Sequence, residues 1–489
     1  MKQDIIEKND KITISQRDNF NKKFGLVLRS SAIFYYKSAP DISTTLSFMN
    51  YWKLKRGIEV AIVASTRDMA GTLIKREELS FENGEVINFS PDLQPHSFFE
   101  GSIEIEVFST KNLFIPYAAI MAIYETKQSI SMVHSYSRTY SPYEIEEGQT
   151  ITKGEESCWT LRDTNTVRSF CVFHNGGKAK DSQTITLRIT GPNNEIRQTL
   201  IELPSLSPYS TVKLYPSDYF PDLSHWLDGQ VANANISFAV SDAFTRLLVG
   251  NESLDGLDYQ ITHSNFNYSN HGTDKVDMDD IHAYMNVPDC DVDDKYVIIY
   301  PDSDPGSYEV SYLNSQKDFQ TGEHVLLPIK GEQSLTFKKK DGVLPTRLVT
   351  GLVCENDTGL LPAECSLGVM TCLRPPKKLW WCLCVSSFSH HSKLIIVDNP
   401  QIYKSTESTP LNIRLYSSDK NTFIETTILY EKHLENFSKG MDIKTLFPNA
   451  QEFLNNTYGY FTVYSEYGGL YCFTMISNLN GSYTLEHGF

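Results

Sequence analysis

Three stretches of the chain alternate apolar and polar residues with a period of two. That is the pattern of a strand with one face on a core and one in water. Ile58, Val60 and Ile62 alternate with Glu59 and Ala61; Ile185, Leu187 and Ile189 with Thr186 and Arg188; Leu411, Ile413 and Leu415 with Asn412 and Arg414. Each runs into a polar turn: Ser65-Thr66-Arg67-Asp68, Gly191-Pro192-Asn193-Asn194 or Ser417-Ser418-Asp419-Lys420. Such residues supply the dihedral angles a reversal needs. Roughly 75 residues after each alternating strand comes a short apolar strand that ends in a histidine, namely His134, His263 and His487. A fourth copy has Tyr308, Val310 and Tyr312 as its alternating strand and, about 75 residues on, LWWCLCV ending at Val385. There the histidine is missing.

Alternation, turn and offset recurring together predict an all-β chain of four tandem antiparallel β-sandwiches, immunoglobulin-like in architecture, the third divergent. The alternating strand is read as the one that opens each unit. Residues 1–23 form a tail or an added strand, 24–147 unit one and 148–272 unit two. Residues 273–294 are an acidic linker, 295–389 unit three and 390–489 unit four. Units of this size suit a β-sandwich, and no window has the period of a long helix. The linker carries Asp274, Asp277, Asp279, Asp280, Asp289, Asp291, Asp293 and Asp294, a run expected to be exposed and to act as a hinge. It lacks the glycine and twelfth-position glutamate of an EF-hand loop, which argues against calcium.

Composition narrows the function classes. A hydrophobic content of 40% and a charged content of 21% are those of a globular chain. A net charge of -16 argues against binding nucleic acid through its phosphates, and against anionic membrane. The N-terminal stretch is polar, with no apolar signal segment, and no apolar run is long enough to span a bilayer. Nine scattered cysteines, an odd number, predict free thiols and a cytoplasmic setting, with export by a signal-less route as the alternative.

Candidate chemistry is sparse. Nucleophile elbow, HExxH and Walker motifs are absent. His134 and His263, with His174, Asn265 and His271, are candidate ligands for zinc where units one and two meet, since imidazole is a common zinc donor. The competing reading, which the sequence favours, is that each histidine is a duplicated strand-end residue that bonds a turn of its own unit, well apart from the others. Tyr51, Trp52, Tyr136, Tyr140 and Tyr143, with Trp226, offer rings on which sugars could stack. Glu104 and Glu106 read as solvated strand glutamates in preference to a glycosidase pair. The Lys53–Arg56 run reads as a solvated turn. The expected function is a non-catalytic binding or scaffold protein recognising a glycan or a protein partner, with no cofactor. The alternative is a metal-assisted hydrolase at the junction of units one and two.

Overall fold

The computed structural model describes residues 27–489 except 83, 94–97, 142–143, 145–150, 265–281, 301–305, 313–314, 321, 343, 345–347, 356–359, 370–376 and 400–408. The chain is all-β. Among the described residues its strands form eight four-stranded antiparallel sheets and one two-stranded sheet. Numbered in chain order within a unit, the strands pair as 1-6-3-4 in one sheet and 5-2-7-8 in the other, and this order recurs four times. The two sheets of each unit enclose a core. In unit two, for example, Trp159, Leu187 and Ile236 from one sheet meet Phe173 and Val249 from the other. Among the described residues no helix exceeds six residues.

The alternating strands of units two to four are equivalent third strands, Gln183–Thr190, Ser307–Tyr312 and Pro410–Tyr416. In unit one the third strand is Ala61–Asp68, so Ile58 and Val60 precede it and Ser65–Asp68, read as a turn, lies within its ladder. In units one, three and four the two strands before the third are largely buried, so no polar alternation marks them. Arg29–Ser38 opens unit one with seven consecutive buried residues. LWWCLCV has the same cause and corrects the third boundary. Leu379–Val385 pairs with Tyr458–Tyr464 and is the first strand of unit four, not the end of unit three. Its Trp380, Cys382 and Cys384 enter the core of unit four, while Trp381, Leu383 and Val385 pack against unit one.

The linker is corrected as well. His282–Val287 is the first strand of unit three and pairs with Gln333–Lys338. Asp289 and Cys290 donate backbone hydrogen bonds to Ser438 Oγ (3.0 Å) and Ser438 O (2.9 Å), so this part of the run is tied to unit four. Asp291, Asp293 and Asp294 are exposed, as predicted. Asp274, Asp277, Asp279 and Asp280, like the tail at 1–23, lie outside the described residues.

The last strand of each unit is an edge strand: Ile130–His134, Tyr259–His263, Ala363–Val369 and Tyr483–His487. The first packs on the second and the fourth, and the third does the same. Four units therefore close into a ring around their own last strands. The seam between units one and four has an apolar patch, with Met121 and Met132 facing Trp381 and Tyr460, and buried polar contacts such as Tyr460 Oη with Ser47 O at 2.7 Å. The seam between units two and three carries buried polar contacts, such as Thr160 Oγ1 with Glu364 Oε1 at 2.8 Å and Arg162 with Glu355 at 2.9 Å.

Candidate functional site

Edge strands are normally half exposed; these are buried because the ring covers their free side. His134 stands opposite Met121, His263 opposite Leu248 and His487 opposite Phe473 on the preceding strand of each unit. Equivalent positions on strands that meet at one centre must themselves meet. The His134 ring lies 4.5 Å from that of His263 and 4.4 Å from that of His487, centre to centre. One ring nitrogen from each of the three lies within 4.8 Å of the others.

Neighbouring acceptors set the ring protons. His263 Nδ1 is 2.9 Å from Ser264 O, and His487 Nδ1 is 3.2 Å from Gly488 O. A carbonyl only accepts, so Nδ1 carries the proton and Nε2 keeps its lone pair in both rings. His134 Nδ1 lies 3.2 Å from Glu486 Oε1. Arg246 reaches across the cluster: Nη1 is 3.2 Å from His263 Nδ1 and 3.5 Å from its Nε2, and Nη2 is 3.4 Å from His134 Nε2. Burial, aided by the charge of Arg246, holds His263 well below its ordinary pKa. Burial also lowers His487 to about 4 and raises the Glu486 carboxyl. His263 and His487 are therefore neutral at pH 7.

A cavity of about 570 Å³ adjoins the cluster and shares His134 and Arg246 with it. Units one, two and four bound it. Its walls are aromatic, with Tyr51, Tyr117, Phe244, Trp381, Tyr460 and Phe489. Its charged groups are Lys55, Arg246 and Lys377, and no carboxylate side chain lines it among the described residues. The short helix Tyr51–Arg56 places two of these groups. Asn50 Oδ1 accepts from Lys53 N at 3.4 Å, and Gly57 ends the helix in the left-handed conformation. The i, i+4 spacing then puts Tyr51 and Lys55 on one face, towards the cavity. Tyr51 Oη accepts a hydrogen bond from Ala119 N at 3.3 Å. Lys377 is exposed as a residue, yet its ammonium lies 3.5 Å from the centre of the Trp380 ring, and loss of water there lowers it to about 8. Lys55 is lowered by desolvation and by Arg56.

The predicted residues divide. His134 and His263 come together, so the expectation of separate strand-end histidines is overturned, although His263 and His487 do bond carbonyls of their own units. His174 stands apart from the cluster, between Tyr136 Oη (3.1 Å) and Thr211 Oγ1 (3.0 Å). His271 and Asn265 lie outside the described residues. Of the aromatic set, Tyr51 lines the cavity. Trp52 is buried beneath it with ring centres 4.0 Å apart, and Tyr136 is buried with its hydroxyl 2.8 Å from Tyr35 N. Tyr140 is half-buried against the Arg138 guanidinium, and Tyr143 lies outside the described residues. Trp226 stacks under Arg197 and donates to Glu195.

Three further readings change. Lys55 of the basic run faces the cavity. Glu104 is not solvated: it is buried between Arg29 (3.0 Å) and Arg67 (2.9 Å), because two arginines neutralise it on a covered sheet face. Glu106 is half-buried and pairs with Arg29 and Arg76. Sequence reasoning missed Arg246, Lys377, Trp381 and Glu486. For Arg246 there is a signal, since it follows Ala243–Thr245, an extra strand found only in unit two among the described residues. That strand pairs with Ser137–Thr139 and holds the arginine over the cluster.

Compared with known families and curated proteins, the chain matches neither a family model nor a curated sequence. No helix among the described residues is long and apolar enough to cross a membrane.

Proposed function

We propose that the protein is a non-catalytic binding protein whose inter-unit cavity takes a small organic anion with a flat apolar body, of the chemical class of an acidic sugar or sugar phosphate. One observation carries the reading: a chain of net charge -16 lines this cavity with aromatic rings and three cations and, among the described residues, with no carboxylate side chain. The volume is that of an ordinary small-molecule site. Rings offer faces to the apolar side of a sugar, and Lys55, Arg246 and Lys377 attract the acid group. A reducing compartment fits the same picture, since Cys171, Cys290, Cys354, Cys365, Cys382, Cys384 and Cys472 are buried free thiols.

Isothermal titration of the full chain with a sugar, its uronic acid and its phosphate ester tests the reading. The acids are expected to bind at least about tenfold more tightly than the neutral parent, a difference of about 1.4 kcal/mol. Lys377→Ala should remove most of that preference. Equal affinity for the neutral sugar, or no binding of any of the three, would overturn the assignment.

A further inference from the structure

The histidine cluster has features the anion cavity does not require. Three imidazoles arrive from three units; His263 and His487 each turn Nδ1 to a fixed carbonyl, Ser264 O and Gly488 O, while His134 Nδ1 stands 3.2 Å from Glu486 Oε1 as an ion-pair contact. A hydrogen-bonded Nδ1 orients the ring and leaves Nε2 as a donor to a metal, the arrangement that outer-shell partners of ligating histidines supply. Nothing in the packing of the last strands demands histidine here, for the same register position of unit three, opposite Thr350, is Leu367.

We propose that His134, His263 and His487 together bind one divalent transition-metal ion of the zinc type. Three imidazole nitrogens suit an ion of borderline softness and leave one coordination position open. His134 and Arg246 line the cavity, so the open side of the cluster faces it. The competing occupant is visible. The Arg246 guanidinium already offers N–H groups to Nε2 of His263 (3.5 Å) and Nε2 of His134 (3.4 Å), and also lies 3.3 Å from Ser135 O. Metal binding requires it to give up the two imidazole contacts. Lined by aromatic rings and open to solvent, the cavity is where the released guanidinium would go, still positive and available to an anion. An ion in the cluster would add charge of the same sign to that cavity. The proposal goes beyond the anion reading and does not rest on it, because it is tested with no organic ligand present.

The test uses the full chain, stripped with a chelator and titrated with Co²⁺ as a spectroscopic probe. One equivalent is expected to bind with the visible absorption of a low-coordinate site, and Zn²⁺ should displace it. His263→Ala and the milder His487→Gln should each weaken binding by more than the roughly 10–100-fold that loss of an outer-shell partner costs. Circular dichroism checks that each variant keeps its fold. His391→Ala, a histidine outside the cluster that lies 3.6 Å from Asp442, should leave the titration unchanged. Arg246→Gln removes a full positive charge beside the ion and should tighten binding by about tenfold or more. The proposal is overturned if the natural chain binds no Co²⁺, including the case where only Arg246→Gln binds it. It is equally overturned if binding survives both histidine substitutions. The cluster would then be a histidine–arginine clasp with the guanidinium as its permanent cation.

Discussion

His174 should make the second unit sensitive to acid. Its ring is fully buried, with Tyr136 Oη at 3.1 Å from Nε2 and Thr211 Oγ1 at 3.0 Å from Nδ1, and burial lowers its pKa from 6.5 to about 3. The unfolded chain takes up a proton below pH 6.5 while the folded chain resists until about pH 3. Stability from this group is therefore complete above pH 6.5 and falls as pH drops towards 3. Linkage puts the loss at about 2 kcal/mol by pH 5 and about 3 kcal/mol by pH 4. His174→Gln removes the titration. At pH 7 it should cost about 1 kcal/mol for the disturbed hydrogen bonds. Below pH 6.5 it should flatten the curve by nearly one proton's worth of slope. The assay is urea unfolding at pH 7 and pH 5, followed by fixed-pH deuterium pulse labelling of the peptide over Val167–His174 so that unit two is read by itself. His263 and His487 also resist protonation, but their effect is common to both proteins and cancels in the difference. A variant with the same loss of stability between pH 7 and pH 5 as the natural chain would refute the argument.

Two smaller perturbations test the packing. Glu104→Gln leaves Arg67 without its buried partner while Arg29 keeps Glu106 and Glu144, so unit one should lose about 3 kcal/mol, read from its urea midpoint; a loss under about 1 kcal/mol would mean the pair is solvated after all. At Gly176 an added Cβ would stand 2.0 Å from Asp242 O, whereas at Gly177 the nearest atom is Tyr209 Oη at 3.1 Å. Gly176→Ala should cost about 2–3 kcal/mol and Gly177→Ala under about 0.5 kcal/mol, and equal shifts in thermal unfolding would contradict the close approach.

What could be read from the residues follows from which strands touch water. Ile185, Leu187 and Ile189 alternate with polar neighbours because Gln183–Thr190 keeps one face half exposed, and the period was visible. Leu379–Val385 is covered by its own core on one side and by unit one on the other, so its apolar run hid both its direction and its unit. The histidines were found through their spacing. Spacing shows that positions are equivalent, not that the strands carrying them converge, and the separate-residue reading failed for that reason. Arg246 comes from unit two and Lys377 and Trp381 from one segment at the start of unit four, and only the closure of the ring brings them to a common cavity against unit one.

Closure has a further consequence. A cyclic homotetramer must repeat every residue near its axis four times, because its subunits are identical. A single chain that carries its own four copies is free of that rule. It can keep a side chain at three of the axial places and carry another at the fourth, as the three histidines and Leu367 do. The centre of this ring is thus lopsided: the histidines gather where units one, two and four meet, and the matching place in unit three holds Leu367. A tetramer of separate sandwiches could not acquire such a one-sided centre by point substitution, whereas a single chain of four units can.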